Sequence, residues 1–131
     1  MAPVDISKVK SFLAEKEKKR ERQLKERLKK AHADFLSIVR MIIDKYNPRK
    51  IYQWGSLIHS EHFSELSDID IALEGISSVE QLFQLYGDAM KMTDFPLDIV
   101  EIEKLEPEFR KIIIEHGKLI YEREDKNIGS D

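Results

Sequence analysis

Two aspartates one residue apart interrupt an apolar stretch of this sequence. Asp68 and Asp70 stand in the run DIDIAL, where Ile69 and Ile71 alternate with them. Alternation with period two predicts a strand whose carboxylates share one face while the isoleucines point into a core. An unpaired carboxylate held away from water costs several kcal/mol or shifts its pKa, so these two residues need a compensating partner.

A divalent cation is the partner that this spacing suggests. Two carboxylates side by side repel each other unless a cation lies between them. Mg²⁺ takes one or two carboxylates and completes its shell with water and substrate phosphates. Asp98, in the strand-like run LDIVEI, is the candidate third ligand. A third carboxylate would let the site hold two metal ions, an arrangement used for in-line phosphoryl chemistry.

A glycine and a serine upstream could bind the phosphates. Gly55 and Ser56 directly follow the strand-like run KIYQW. A strand that ends at glycine lets the backbone approach a ligand closely. The amides of such a turn, with a serine hydroxyl beside them, can form an anion-binding concavity. The sequence therefore predicts a phosphate turn facing a metal site.

The surrounding elements predict an α/β fold. Residues 6–46 lack Pro and Gly and predict one long helix, with an apolar stripe along its second half from Leu24 to Tyr46. Strands are predicted at KIYQW, DIDIAL, LDIVEI and KLIYE, and helices at SSVEQLFQLYGDAMKM and EPEFRKIIIEHG. We expect a short mixed β-sheet with helices packed on one face. The predicted divisions are a charged helical extension at 1–32, one domain at 33–122 and a disordered tail at 123–131.

Composition narrows the class of protein. The 131 residues suit a single domain, there is no cysteine, and no run reaches the roughly 18 apolar residues of a membrane span, so we expect a cytoplasmic protein. Residues 1–50 carry 15 Lys/Arg and 7 Asp/Glu, whereas residues 51–131 carry 7 and 18. This segregation fits a solvated helix or a basic arm for an acidic partner. The interspersed glutamates argue against nucleic acid.

These motifs in order resemble a known family. A strand ends in Gly55-Ser56, eleven residues separate Ser56 from Asp68, the run SDIDI follows, and a later strand carries Asp98. From about Phe35 to Tyr121 the chain resembles the nucleotidyltransferase fold of the DNA polymerase β superfamily, and in particular its minimal nucleotidyltransferases.

The resemblance implies roles for the matching positions. Gly55 and Ser56 would bind the phosphates of a nucleoside triphosphate, with ATP expected. Asp68, Asp70 and Asp98 would hold Mg²⁺, as two ions when nucleotide is bound. Asp98 would also help to deprotonate the attacking hydroxyl, so that a nucleoside monophosphate is transferred and pyrophosphate leaves. One departure is that many relatives carry basic residues soon after Gly-Ser, where this chain has LIHS at 57–60.

The resemblance also implies a partner. Larger transferases of this superfamily add an acceptor-binding domain, so we expect a second subunit or a partner protein to hold the acceptor. Several minimal nucleotidyltransferases pair with a HEPN-type ribonuclease as antitoxin and toxin, and some add AMP to a tyrosine of that partner. The alternative is a non-catalytic module of the same fold that neutralises its partner by contact alone.

Other residues have simpler interpretations. Trp54 is expected to pack in a core rather than stack on a base. Glu101 follows Asp98 by three residues and is expected on the opposite sheet face, in a structural role. The histidines show no spacing typical of a metal site. The stripe from Leu24 to Tyr46 predicts core packing, with a dimer or partner helix as the alternative for its exposed end.

Overall fold

The computed structural model describes residues 3–57, 64 and 67–124, and of Ser56 only the backbone. Its helices and strands, in chain order, are α1 Ile6–Tyr46, β1 Lys50–Trp54, β2 Ile69–Glu74, α2 Val79–Met90, β3 Leu97–Glu101, α3 Pro107–His116 and β4 Lys118–Glu122. Short 3₁₀ turns occupy Gly55–Leu57 and Ile102–Lys104. The predicted elements are therefore confirmed.

Helix α1 is continuous over 41 residues. It begins at the cap Asp5, whose carboxylate accepts a hydrogen bond from the amide of Lys8, and it ends at Asn47, which adopts a left-handed conformation before Pro48. The predicted stripe is the face that packs on the body of the protein. Its members Ala31, Phe35, Ile38, Ile42 and Tyr46 are buried, and Leu24 and Leu28 are partly buried. The apolar periodicity thus predicted the packed face correctly.

The sheet is mixed and has the strand order β3-β2-β1-β4. Strand β1 pairs antiparallel with both β2 and β4, whereas β2 and β3 are parallel. Helix α2 connects the two parallel strands, as such a crossover requires. Its cap is Ser78, whose hydroxyl accepts from the amide of Gln81. The predicted mixed α/β fold with a long N-terminal helix is confirmed.

Helices cover both faces of the sheet, which differs from the prediction of helices on one face. Helices α1 and α2 pack against Ile51, Ile71 and Ile99. Helix α3 lies on the opposite face, where Ile113 packs with Tyr52 and Ala72. The reason is topological. Strands β3 and β4 are at opposite edges of the sheet, so the connection between them must cross a face, and α1 and α2 already occupy the first one.

The predicted domain boundaries remain predictions. Helix α1 runs without a break through positions 32 and 33, and every residue from 3 to 23 is exposed. Most of the predicted tail, residues 125–131, lies outside the described residues. Within the described ranges, no helix combines the length and apolar character that a membrane crossing needs.

Candidate active site

Two of the predicted aspartates are direct neighbours across the sheet. Asp70 of β2 pairs with Asp98 of β3 in the parallel register, and Trp54 of β1 pairs with Asp70 from the other side. Side chains in such a cross-strand row share one face of the sheet. Asp68 lies two residues before Asp70, immediately ahead of β2. Pairing of the strands therefore places Asp98 beside Asp70, although the two residues are 28 positions apart in the sequence.

The carboxylates influence one another. Partial burial, together with the negative charges of Asp98 and then Asp68, raises the pKa of Asp70 to about 7. Burial disfavours the charged form of a carboxyl group, and neighbouring carboxylates disfavour it further. A carboxyl group with this pKa is only partly ionised at neutral pH. The cluster thus carries an electrostatic conflict that a cation or a proton would relieve.

Gly55 lies against the Asp70 carboxylate. Its φ is +80°, and a Cβ added there would stand 2.0 Å from Oδ2 of Asp70 and 2.8 Å from its Cγ. Any other residue would face both the left-handed backbone and this contact. Glycine is therefore required at this position for two independent reasons. The predicted approach of its backbone to a ligand stays a prediction.

The rest of the predicted phosphate turn is described only in part. Ser56 continues the backbone of the 3₁₀ turn, and its side chain lies outside the described structure. Leu57 is buried in the core with α1 and α2. Positions 58–60, where basic residues were expected, lie outside the described residues, as do His59 and His62.

Trp54 belongs both to the core and to the site. Its ring packs on the cluster of Tyr52, Ala72 and Ile113, as expected. Its Nε1 is buried and has no hydrogen-bond partner within the described part of the chain. A buried donor without a partner is uncommon, and this one belongs to a residue paired with Asp70. The alternation of β1 was the signal that could have placed Trp54 beside the carboxylates.

The carboxylates of Asp68, Asp70 and Asp98 are suitable ligands for Mg²⁺, although their side chains are not arranged as a complete metal site. Within residues 3–57, 64 and 67–124, no three acidic or imidazole side chains are gathered as a ready-made metal site. The carboxylates nonetheless supply the oxygen ligands that Mg²⁺ prefers. Burial and then the charges of Asp98 and Asp68 raise the pKa of Asp70, and a cation would neutralise those charges. Asp68, Asp70 and Asp98 remain the predicted ligands.

Two other buried acidic side chains belong to the framework. Glu101 lies on the opposite face to Asp98, as predicted, and its Oε2 is 2.7 Å from Nζ of Lys104. Asp34 of α1, which no local sequence pattern indicates, accepts hydrogen bonds from Lys30 and from the hydroxyl of Thr93. Neither carboxylate is part of the row.

Comparison with known proteins identifies the fold. The sequence profile of the family described as polymerase beta, nucleotidyltransferase matches residues 37–126. Among solved structures, the toxin–antitoxin MntA–HepT matches with a TM-score of 0.54 at 18% identity over 70% of this chain and 73% of that one. A mutant of this toxin–antitoxin with two aspartate-to-glutamate substitutions matches with a TM-score of 0.56 at 18% identity, over 69% and 74%.

A third similar structure is a toxin–antitoxin with AMP-PNP, with a TM-score of 0.56 at 18% identity over 67% of this chain and 73% of that one. No protein of curated function matches the chain in sequence. The fold and the family match together define a protein of the nucleotidyltransferase class. The chain belongs to the polymerase beta nucleotidyltransferase family, as its motifs predicted.

Proposed function

We propose that this protein is a Mg²⁺-dependent adenylyltransferase that moves AMP from ATP onto a hydroxyl group of a partner protein, as the antitoxin of a toxin–antitoxin pair. The observation that carries the proposal is the row in which Asp70 and Asp98 are paired next to Gly55. Family membership supports nucleotidyl transfer. Similar structures of a toxin–antitoxin, one of them with AMP-PNP, support the partner and the nucleotide.

Each residue of the proposed site would have its own role. Gly55 and Ser56 would receive the phosphates of ATP in the turn after β1, and Asp68, Asp70 and Asp98 would hold Mg²⁺, with two ions expected when nucleotide is bound. The chemistry that Mg²⁺ would supply there is neutralisation of the charge on the triphosphate. Asp98 would also accept the proton of the attacking hydroxyl. Positioning and charge neutralisation supply most of the catalysis in this class.

The acceptor in this proposal is a HEPN-type toxin, met in the cytoplasm where ATP and Mg²⁺ are available. The direct experiment incubates the protein with the product of its neighbouring gene, Mg²⁺ and ATP, and then weighs both chains by intact mass spectrometry. We expect the partner to gain one AMP, and we expect EDTA to prevent the gain.

Two variants from neighbouring strands make this experiment specific. Asp70→Asn removes one carboxylate of the row and should abolish the adduct. Glu101→Gln changes an acidic residue of β3 that faces the other way and binds Lys104, so it should retain the adduct. An absent adduct with the native protein, or an adduct that survives Asp70→Asn, would refute the proposal.

A non-catalytic binding module is the second candidate. The observations in its favour are that Leu57 after Gly-Ser is buried in the core and that no ready-made metal site occurs in the described residues. The double variant Asp68→Asn/Asp70→Asn separates the two candidates. If it still binds the partner and silences its activity without an adduct, contact alone is the function.

A further inference from the structure

Within the described residues, the first half of α1 is not packed against the rest of the chain. All residues from 6 to 23 are exposed, although the helix is capped at Asp5 and continuous with the packed half. At about 1.5 Å per residue this segment, called the arm below, is about 27 Å long. It lies outside the part of the chain that matches the family profile, residues 37–126. The arm is therefore an addition to the family domain.

The arm carries apolar side chains that a purely solvated helix does not need. Phe12 is 64% exposed and Leu13 is 55% exposed, and Ile6 and Val9 are exposed nearby. Lys16 and Lys19 follow Phe12 at spacings of four and seven, on the same side of the helix. Overall the arm has seven Lys/Arg against three Glu. Exposed apolar side chains flanked by cations favour an acidic protein surface as the binding partner of the arm. Nucleic acid is disfavoured because its phosphate backbone would not bury the apolar side chains.

The outer face of α3 also has exposed apolar side chains, and glutamates lie beside them. Phe109 is 60% exposed and Ile112 is 53% exposed, three positions apart on the surface of α3 beside the buried Ile113. Glu108 and Glu115 lie beside Ile112 on the helix surface, four positions before it and three after it, and Glu115 forms a 3.9 Å ion pair with the exposed Lys111. Helix α2 also has exposed apolar side chains, at Val79, Phe83 and Met90. Its two acidic residues are Glu80 and Asp88, and Asp88 already binds Lys45 and Tyr46.

We propose that the arm of one molecule lies on the outer face of α3 of a second copy, with the reciprocal contact completing a two-fold dimer. The charge of the chain supports a second copy as the occupant, since residues 1–50 are strongly basic and residues 51–131 carry 18 Asp/Glu against 7 Lys/Arg. Two arms laid side by side would repel each other. Two reciprocal helix contacts bury on the order of 1,500 Å², the size of a standard stable interface.

The oligomeric state of the purified full-length chain tests the proposal. Sedimentation velocity at about 50 μM protein and 50 mM salt should give twice the mass of one chain. Because the contact is between opposite exposed charges, raising the salt to 500 mM should weaken dimerisation at least tenfold. A monomer at low salt, or a dimer that becomes tighter with salt, would overturn the proposal, the second result indicating contact between arms.

A charge swap gives the sharper result. One double variant, Lys16→Glu/Lys19→Glu, reverses the charge of these two positions on the arm. The other, Glu108→Lys/Glu115→Lys, reverses the charge of two positions on α3. Each double variant alone should dimerise at least tenfold more weakly. Mixed in equal amounts, the two should form a heterodimer of native affinity, because both reciprocal contacts again join opposite charges.

The matched control reverses two exposed acidic charges outside α3, at Glu80 of α2 and at Asp94 in the turn that follows α2. Glu80→Lys/Asp94→Lys should dimerise like the native protein, and circular dichroism should show native helix content in every variant. Phe12→Ala, which keeps all charges, should also weaken the dimer. If the mixture remains monomeric while each variant is folded, the arm does not bind α3. These measurements read mass alone, so their outcome is independent of whether the protein transfers AMP.

Discussion

Two neighbouring rows of the sheet differ sharply although they share strands and face. The row Tyr52, Ala72 and Val100 is covered by α3 and the 3₁₀ turn that precedes it, with Ile113 and Ile102 packed on it. The row Trp54, Asp70 and Asp98 lies two positions along the same strands and is less covered.

The difference shows how little backbone change a polar site requires. Register and pleat are the same in both rows, so the side chains have the same spacing. In one row, apolar groups meet a helix and stabilise the fold. In the other row, partial burial and the neighbouring carboxylates raise the pKa of Asp70 to about 7. The first row holds the strands in the register that the second row needs.

Moving a carboxylate from the polar row to the covered row should have the largest effect. Ala72 is fully buried, so Ala72→Asp places an unpaired charge under α3. We expect a loss of at least about 4 kcal/mol of unfolding free energy, which removes most of the stability of a typical domain. Urea unfolding followed by circular dichroism measures it. A near-native midpoint would show that the two rows are equally open.

Removing the carboxylate opposite Asp70 should affect chemistry and spare the fold. Asp98→Asn should lower the rate of AMP transfer about 10³-fold, or about 4 kcal/mol of transition-state stabilisation, since the proposed metal ligand and the proposed proton acceptor are lost together. The melting temperature without metal should stay level or rise, because repulsion of Asp70 is relieved. Single-turnover kinetics and thermal unfolding, measured on the same sample, check both parts.

Placing a side chain at Gly55, beside Asp70, should lower the unfolding free energy by less than Ala72→Asp does. Gly55→Ala combines a left-handed backbone with a Cβ 2.0 Å from the carboxylate oxygen, so we expect a loss of about 2–3 kcal/mol. The matched control is Gly87→Ala in α2, where an added Cβ meets nothing within 4 Å and should stabilise the helix by about 0.5–1 kcal/mol. Equal effects of the two substitutions would contradict the close contact at Gly55.

The smallest effect concerns pH. The pKa of Asp70 in the folded protein is above its unfolded value, so the folded state binds more protons between about pH 4 and pH 7. In the metal-free protein, this group therefore lowers stability as pH rises through that window, and the cost is complete above it. Asp70→Asn should raise the unfolding free energy at pH 8 by about 1–2 kcal/mol, an amount limited by solvent screening of a partly exposed group.

Asp88 provides the control of opposite sign. Hydrogen bonds from Lys45 and Tyr46 lower the pKa of Asp88, so its contribution is present at neutral pH and is lost as pH falls through its folded pKa. Asp88→Asn should therefore destabilise the protein at neutral pH. Unfolding curves of both variants from pH 4 to pH 8 should diverge from the native curve in opposite directions. Parallel curves would contradict the electrostatic conflict at Asp70.

Local features were predictable from the sequence because they depend on neighbouring residues. The apolar spacing of α1, the cap at Ser78, Pro107 at the start of α3 and the alternation of Asp68–Ile71 each depend on a few adjacent positions. The three aspartates could be grouped because the family motif orders them. Their metal coordination remains a prediction.

Features that depend on strand order could not be predicted. The position of α3 on the second face follows from β3 and β4 lying at opposite edges of the sheet. The pairing of Asp70 with Asp98 is a matter of register between two strands joined by a helix. The burial of Asp34 depends on Thr93, which is 59 positions away, and no local pattern indicates that contact.

Trp54 gives the protein a built-in optical probe. It is the only tryptophan in the chain, and it pairs across the strands with Asp70. Indole emission responds to the electric field of nearby charges, and all the indole emission of this protein comes from one position beside the carboxylates. Protonation of the row, or the arrival of a cation, therefore changes the colour or intensity of that emission without any label being attached.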